Sequence, residues 1–132
     1  MSKLLVSNFM TPGVEVMFDD EQVDIARTIM TLSRIRHLPV TDRGDRLVGL
    51  LTQRDLLARV VSHGAEAPVL VRDIMTKKVT TISATSLIQR AARIMLENKY
   101  GCLIVTDADR IIGILTETDF VAFVANNAEH WE

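Results

Sequence analysis

Two aspartates close the same short pattern, GLLTQRD at 49–55 and GILTETD at 113–119. Threonine followed three residues later by an acid, just before an apolar run, is a helix-start pattern. The hydroxyl and the carboxylate take up backbone N–H groups that the first turn leaves unpaired. On that reading Thr52 with Asp55, and Thr116 with Asp119, each contribute about 1 kcal/mol as caps. Two details point elsewhere. Aspartate reaches less far than the glutamate or glutamine that a reciprocal cap favours. Gly49 and Gly113 also sit inside apolar, strand-like runs, where glycine weakens packing and marks close approach by a ligand or by another backbone. A cap and a ligand group both fit these residues, and the two roles are compatible.

The elements that must hold these motifs come from a repeat covering nearly the whole chain. Phe9-Met10-Thr11 returns as Ile74-Met75-Thr76, Ala26 as Ala91, Ile29-Met30 as Ile94-Met95, and Leu38 and Val40 as Leu103 and Val105. One residue is lost between the turns DRGDR (42–46) and DADR (107–110), where a deletion costs least. The spacing predicts one repeat at 3–63, a second at 69–126, HGAEAP (63–68) as the seam and a polar tail at 127–132. In each repeat a lead-in (VSNFMT; VRDIMT) precedes a strand near Val14–Phe18 or Val79–Ile82. An amphipathic helix follows. Ile88, Ala91, Ala92 and Met95 share one face, and Val23, Ala26 and Met30 hold the matching places. Asp19, Asp20, Ser83 and Thr85 are candidate N-caps, and Gly101 the second copy's helix stop. HLPVT with RLVGLLT, and CLIVT with RIIGILT, read as hairpins. A last helix carries Leu56, Leu57, Val60 and Val61, matched by Phe120, Val121, Val124 and Ala125. The order is β-α-β-β-α, twice, an α+β fold. Neither repeat is long enough to bury its helix faces alone, so the two are expected to pack about a pseudo-two-fold axis.

Composition narrows the function classes. The 132 residues suffice for one real core, and 48% hydrophobic with 24% charged residues is a globular balance. A net charge of −2 lacks the basic surplus that displaces phosphate counterions, which disfavours nucleic acid as a partner. The single cysteine, Cys102, forms no internal disulfide and fits a reducing compartment. MSKLLVSNFMTPG lacks the long apolar region of a secretory signal, and no run approaches the roughly 18 apolar residues of a membrane span. A cytoplasmic protein without a membrane partner is expected. Nucleotide-hydrolase, dinucleotide, zinc-protease and serine-hydrolase motifs are missing. Cys102 with His37 could pair a nucleophile and a base, but the two occupy equivalent positions of the repeat, so no enzyme is expected. His63 and His130 lack partners at metal spacing, and no metal or required cofactor is expected. Met10, Met30, Met75 and Met95 read as core filler. Trp131 lies in the polar tail.

The ordered set of lead-in MT, helix, HLPV, turn and G-x-x-T-x-x-D, found twice between about residues 3 and 125, resembles a tandem pair of CBS domains, a Bateman module. The resemblance implies a regulatory module that binds adenosine-containing ligands (AMP, ADP, ATP or S-adenosylmethionine) in clefts between the repeats. A carboxylate at a helix start can accept both hydroxyls of a ribose, and threonine can offer a hydroxyl to sugar or phosphate. The resemblance pairs Asp119, with Ile114, Thr116 and Thr118, to Val14, Val16, Arg36, His37 and Pro39. It pairs Asp55, with Leu50, Thr52 and Arg54, to Lys77, Val79, Thr81, Tyr100, Gly101 and Cys102. Tyr100 fits a base-stacking role and a core role equally. Arg36 and His37 resemble the family's phosphate-contacting pair, arginine gripping phosphate bidentately and histidine adding a proton-dependent contact, so one good nucleotide site is expected at Asp119 and a weaker or differently selective one at Asp55. Gly101 and Cys102 carry no charge at the equivalent places; Arg54, Lys77 and Lys78 are the candidate substitutes near Asp55, and Lys77-Lys78 reads as a solvated pair at least as well. The resemblance further implies a homodimer through the helices and an effector protein not identifiable from the sequence; the apolar second-helix faces (Leu56, Val60; Phe120, Val124) suit either that dimer or the core. The alternative is an assembly module, independent of ligand, whose T-x-x-D acids only cap helices.

Overall fold

The computed structural model describes residues 3–63 and 69–127, with the side chains of 60–63 left out of the description. Residues 64–68 of the seam, His130, Trp131 and the side chains of Val60, Val61 and His63 therefore lie outside the described residues. The order is α1 (Val6–Phe9), β1 (Thr11–Pro12), β2 (Met17–Phe18), α2 (Val23–Ser33), β3 (His37–Thr41), β4 (Leu47–Thr52), α3 (Gln53–His63), α4 (Val71–Ile74), β5 (Thr81–Ser83), α5 (Ile88–Asn98), β6 (Cys102–Asp107), β7 (Arg110–Thr116) and α6 (Glu117–Asn126). The mixed α and β composition expected from the repeat is present.

The chain forms two compact units, and they do not follow the sequence repeat. A continuous unit spans Glu15–Val79, and a split unit joins Met1–Val14 to Thr80–Glu132. In the continuous unit β2 runs parallel to β3 across the α2 crossover, and β3 pairs antiparallel with β4. Its core is Met17, Val23, Ala26, Met30, Leu38, Val40, Leu51, Leu56 and Val71. In the split unit the sheet order is β1-β7-β6-β5, with β1 antiparallel to β7. Its core is Val6, Ile82, Ala84, Ile88, Ala91, Met95, Leu103, Val105 and Leu115. The two lead-ins have thus changed places. Val6 and Val71, fully buried, anchor each lead-in in the unit built mostly from the other repeat.

That exchange explains where the N-cap expectations fail. Asp19, Asp20, Ser83 and Thr85 are not the N-caps. The caps are Gln22 and Leu87, and neither makes a side-chain cap bond. The first helical N–H groups find lead-in carbonyls instead: Val23 donates to Val69 at 2.8 Å and Ile88 to Leu4 at 3.0 Å. A backbone acceptor supplied by another segment makes a capping side chain unnecessary. Gly101 does not end its helix either. Arg34 (φ 54°) and Lys99 (φ 57°) hold the left-handed C-cap positions. The first strands are shorter than expected, because Val14, Glu15 and Val16 make no ladder and Val16 is exposed. The hairpins form as expected. Ala108 and Asp109, both at positive φ, turn β6 into β7 in two residues. The longer first turn is tied by Asp42, whose Oδ1 accepts the N–H groups of Gly44 and Arg46.

Candidate functional site

Each T-x-x-D begins a helix after the hairpin's second strand, and each acid first serves that helix. The Thr52 N–H donates to Asp55 Oδ2 at 2.9 Å, and the Asp55 N–H returns to Thr52 Oγ1 at 3.1 Å. The Thr116 N–H donates to Asp119 Oδ2 at 2.8 Å, and the Thr116 hydroxyl turns to the same oxygen at 3.3 Å. The capping reading of the sequence is therefore realised in both copies. The strand glycines also find their cause. A Cβ on Gly113 would lie 2.9 Å from the Thr11 carbonyl oxygen and 2.8 Å from the Met10 sulfur. One on Gly49 would lie 3.0 Å from the Thr76 oxygen and 2.5 Å from the Met75 sulfur. The close approach is made by the exchanged lead-in backbone in each unit.

The lead-ins bring a residue that motif reasoning missed. Thr11 donates its hydroxyl to Asp119 Oδ1 at 2.8 Å. Thr76, its counterpart, stands 3.4 Å from both oxygens of Asp55. The signal was present in the sequence, because the same Met-Thr ends both lead-ins, but it served only to mark the repeat.

Within the continuous unit, His37 lies opposite Thr52 and Pro39 opposite Leu50, while the Gln53 N–H donates to the Arg36 carbonyl at 2.9 Å. Burial, with Arg36 adjoining, holds the His37 imidazole below its ordinary range, so the neutral ring predominates at neutral pH. Pro39 is buried, Leu50 and Val79 are half-buried, and Val16, Arg36, Arg54 and Lys77 are exposed. Within the split unit, Cys102 lies opposite Thr116. Burial pushes its thiol up to about 11, which leaves no thiolate for nucleophilic chemistry near neutral pH. Tyr100 packs against the split unit's core. Ile114 and Val14 are half-buried, and Thr81, Gly101 and Thr118 are exposed. Each unit thus gathers its own T-x-x-D, lead-in threonine and first residue of the hairpin. Val16, Arg36, His37 and Pro39 belong to the other unit from Asp119. Thr81, Tyr100, Gly101 and Cys102 likewise belong to the other unit from Asp55.

Asp119 also borders a cleft of about 220 Å³ between α1 and α6, with Asn8, Phe9, Ala122, Phe123, Asn126 and Asn127 on its walls. The groove of about 210 Å³ in the continuous unit lies between α2 and α3, over Met30 and Leu56, and does not reach Asp55. Among the described residues no cluster of His, Cys, Asp and Glu could hold a metal ion, and no helix is long and apolar enough to cross a membrane.

Residues 6–62 and 71–126 each match the family model of the CBS domain. A homoserine O-acetyltransferase of Methanococcus vannielii is 26% identical over 112 residues, covering 85% of this chain and 23% of that enzyme. The chain therefore spans about a quarter of the length of that curated relative. A Vibrio cholerae protein crystallised as a candidate acetoin utilization protein (AcuB) is 30% identical, covers 99% of both chains and superposes with a TM-score of 0.84. CBSX2, crystallised in complex with AMP, is 31% identical over 95% of this chain and 98% of that one, with a TM-score of 0.80.

Proposed function

The chain belongs to the CBS domain family, as two domains in tandem, and from that premise we propose that it is a non-catalytic regulatory module that binds an adenosine-containing ligand such as AMP, ADP, ATP or S-adenosylmethionine. The observation that carries this reading is the pair of half-exposed carboxylates, Asp55 and Asp119, each fixed at a helix start beside a lead-in hydroxyl. A charged acceptor held by its own helix is pre-organised for a sugar's vicinal hydroxyls, and charge-assisted hydrogen bonds are the stronger kind. The likeness to CBSX2, whose crystals contain AMP, supports the ligand class. In this proposal Asp119 acts on one ligand with Ile114, Thr116, Thr118, Val14, Val16, Arg36, His37 and Pro39. Asp55 acts with Leu50, Thr52, Arg54, Lys77, Val79, Thr81, Tyr100, Gly101 and Cys102. Arg36 makes the Asp119 set the one that takes a phosphate. Output would pass to an effector protein in the cytoplasm, or through a homodimer.

A second reading is favoured by two observations. Both acids are already caps, and the strand glycines are accounted for by the lead-ins. Exposed Leu57, Val121 and Val124 then suit an assembly module. Thermal melting of ligand-stripped protein separates the two. A ligand at about 100 times its Kd stabilises by about 2.7 kcal/mol, several degrees for a chain of this size. Adenylates are expected to raise Tm while GTP does not, and Asp119→Ala is expected to abolish much of that rise. No rise with any adenylate overturns the ligand reading in favour of assembly.

A further inference from the structure

The two carboxylates differ in how much acceptor capacity they have left. An ionised carboxylate offers about four lone-pair sites. On Asp119, Oδ2 takes the Thr116 N–H and the Thr116 hydroxyl, and Oδ1 takes the Thr11 hydroxyl at 2.8 Å. Three sites are used, and one remains for a diol that needs two. On Asp55, Oδ2 takes the Thr52 N–H, and the Thr52 hydroxyl is turned away to accept the Asp55 N–H. Thr76 stands 3.4 Å from both oxygens, so its single hydroxyl hydrogen, shared between them, takes one further site at longer range than Thr11 does on Asp119. Asp55 therefore keeps at least two sites open. The backbone agrees. The lead-in carrying Thr11 is a strand paired at two positions, Thr11 with Ile114 and Pro12 with Gly113. The lead-in carrying Thr76 forms no strand there and meets Leu50 in one isolated bridge, closed by two backbone bonds of 2.8 Å.

Resting on the adenosine reading above, we infer that Thr11 is a specificity-determining residue. Its hydroxyl holds on Asp119 an acceptor site that a ribose diol requires, so a nucleoside, which has no phosphate for Arg36 to draw to Asp119, loads first at Asp55, and Asp119 accepts the diol only when Thr11 is displaced. The exchange is one hydroxyl donor for another and needs no change in protonation. Thr76 exerts no such control over Asp55.

Calorimetric titration of the full chain with adenosine tests this, using Thr11→Val, Thr11→Ser, Thr76→Val, Asp55→Asn and Asp119→Asn. Thr11 is exposed on a strand and valine has its shape, so the variant keeps the fold. The stronger adenosine site is expected to vanish in Asp55→Asn and persist in Asp119→Asn. Thr11→Val is expected to tighten the weaker site about fivefold or more. Thr11→Ser, which keeps the hydroxyl, and Thr76→Val are expected to stay within about twofold of the native chain. A stronger site that depends on Asp119, or a Thr11→Val titration identical to the native one, overturns the inference and leaves the adenosine reading intact. Amide exchange without ligand separates the two failures. Thr11→Val is expected to speed exchange at Thr11 and Ile114 about fivefold, while Thr76→Val leaves Thr76 and Leu50 within about twofold. Adenosine binding to no variant, with that exchange asymmetry present, overturns the adenosine reading and the selectivity but not the latch. Equal exchange in both pairs overturns the latch itself.

Discussion

The continuous and the split unit are copies in sequence, yet each holds itself together at a different end. In the continuous unit the far end is charged. Arg43 lies 4.0 Å over the Phe18 ring and grips Asp20 with two bonds of 2.9 and 3.0 Å, binding the hairpin turn to the β2 end. Its lead-in threonine stands off from Asp55. In the split unit the equivalent positions are Ser83, Thr85 and Ala108, small and uncharged, with a 3.0 Å bond between the two hydroxyls and the Thr85 N–H donating to Ser83 Oγ at 3.3 Å. There the lead-in end is the firm one, through the β1 ladder, Thr11 on Asp119 and the Phe9 ring stacked on Phe123 at 4.0 Å. The helix cap at T-x-x-D is common to both units. What varies is whether a neighbouring segment consumes the acid's remaining acceptor capacity, and that is where two copies of one motif can come to select differently.

Glycine gives the largest handle on this difference. Gly49→Ala and Gly113→Ala each force a methyl against a carbonyl oxygen that cannot swing aside, and overpacking of this kind costs about 1–3 kcal/mol. Gly113→Ala is expected at the upper end and above Gly49→Ala, because displacing its lead-in also breaks the Thr11–Asp119 bond. Urea unfolding of the two variants reads the difference directly. Equal losses would show that the tighter lead-in adds nothing to stability, and the comparison would collapse to a difference of distances.

Thr41 offers a smaller effect of opposite sign. Its residue is buried at 4% exposure at the end of β3, and its hydroxyl is a buried side-chain polar atom without a hydrogen-bond partner among the described residues. An unsatisfied buried hydroxyl costs about 1–3 kcal/mol, and valine has nearly the same shape. Thr41→Val is therefore expected to stabilise by about 1 kcal/mol in denaturant unfolding. Thr106, its half-buried counterpart on β6, is expected to change by less than about 0.5 kcal/mol as valine. A destabilised Thr41→Val would mean that the hydroxyl is satisfied in solution and that the continuous unit carries no such defect.

The elements were legible because their cause is local. Ile88, Ala91 and Met95 fall on one helical face and are buried on it, and Thr52–Asp55 is the cap that its spacing implies. What could not be read was which copy each lead-in serves. VSNFMT and VRDIMT are alike enough to fit either unit, and Val6 and Val71 fill equivalent core places. The missed caps and the unread cause of the strand glycines follow from that exchange. Asp19, Asp20, Ser83 and Thr85 were attractive caps only while no second backbone stood near. Gly49 and Gly113 pointed correctly to a close approach without saying whose. The acids of the site were therefore visible, while the donors that occupy them were not.

Acid gives the smallest effect and separates the units by chemistry rather than packing. His37, in the continuous unit, is held below its ordinary value of 6.5 by burial first and Arg36 second. Its folded form resists a proton that the unfolded chain accepts. The stability it contributes is thus fully present above 6.5 and declines as pH falls below that value toward the folded pKa. The depressed carboxyls of Asp20, held by Arg43, and Asp42, held first by the Arg46 N–H, lose their contribution only as pH falls below 3.8. The His37 window opens at 6.5 and the carboxyl window only at 3.8. In the split unit the place of His37 is taken by Cys102, whose thiol stays neutral throughout that range. Amide exchange followed from about pH 7.5 to about pH 5 is therefore expected to loosen β3 and β4 while leaving β6 and β7 unchanged. His37→Asn is expected to remove that slope. If both sheets loosen together and the variant behaves as the native chain, the acid response lies outside His37, and the charge difference between the units has no part in stability near neutral pH.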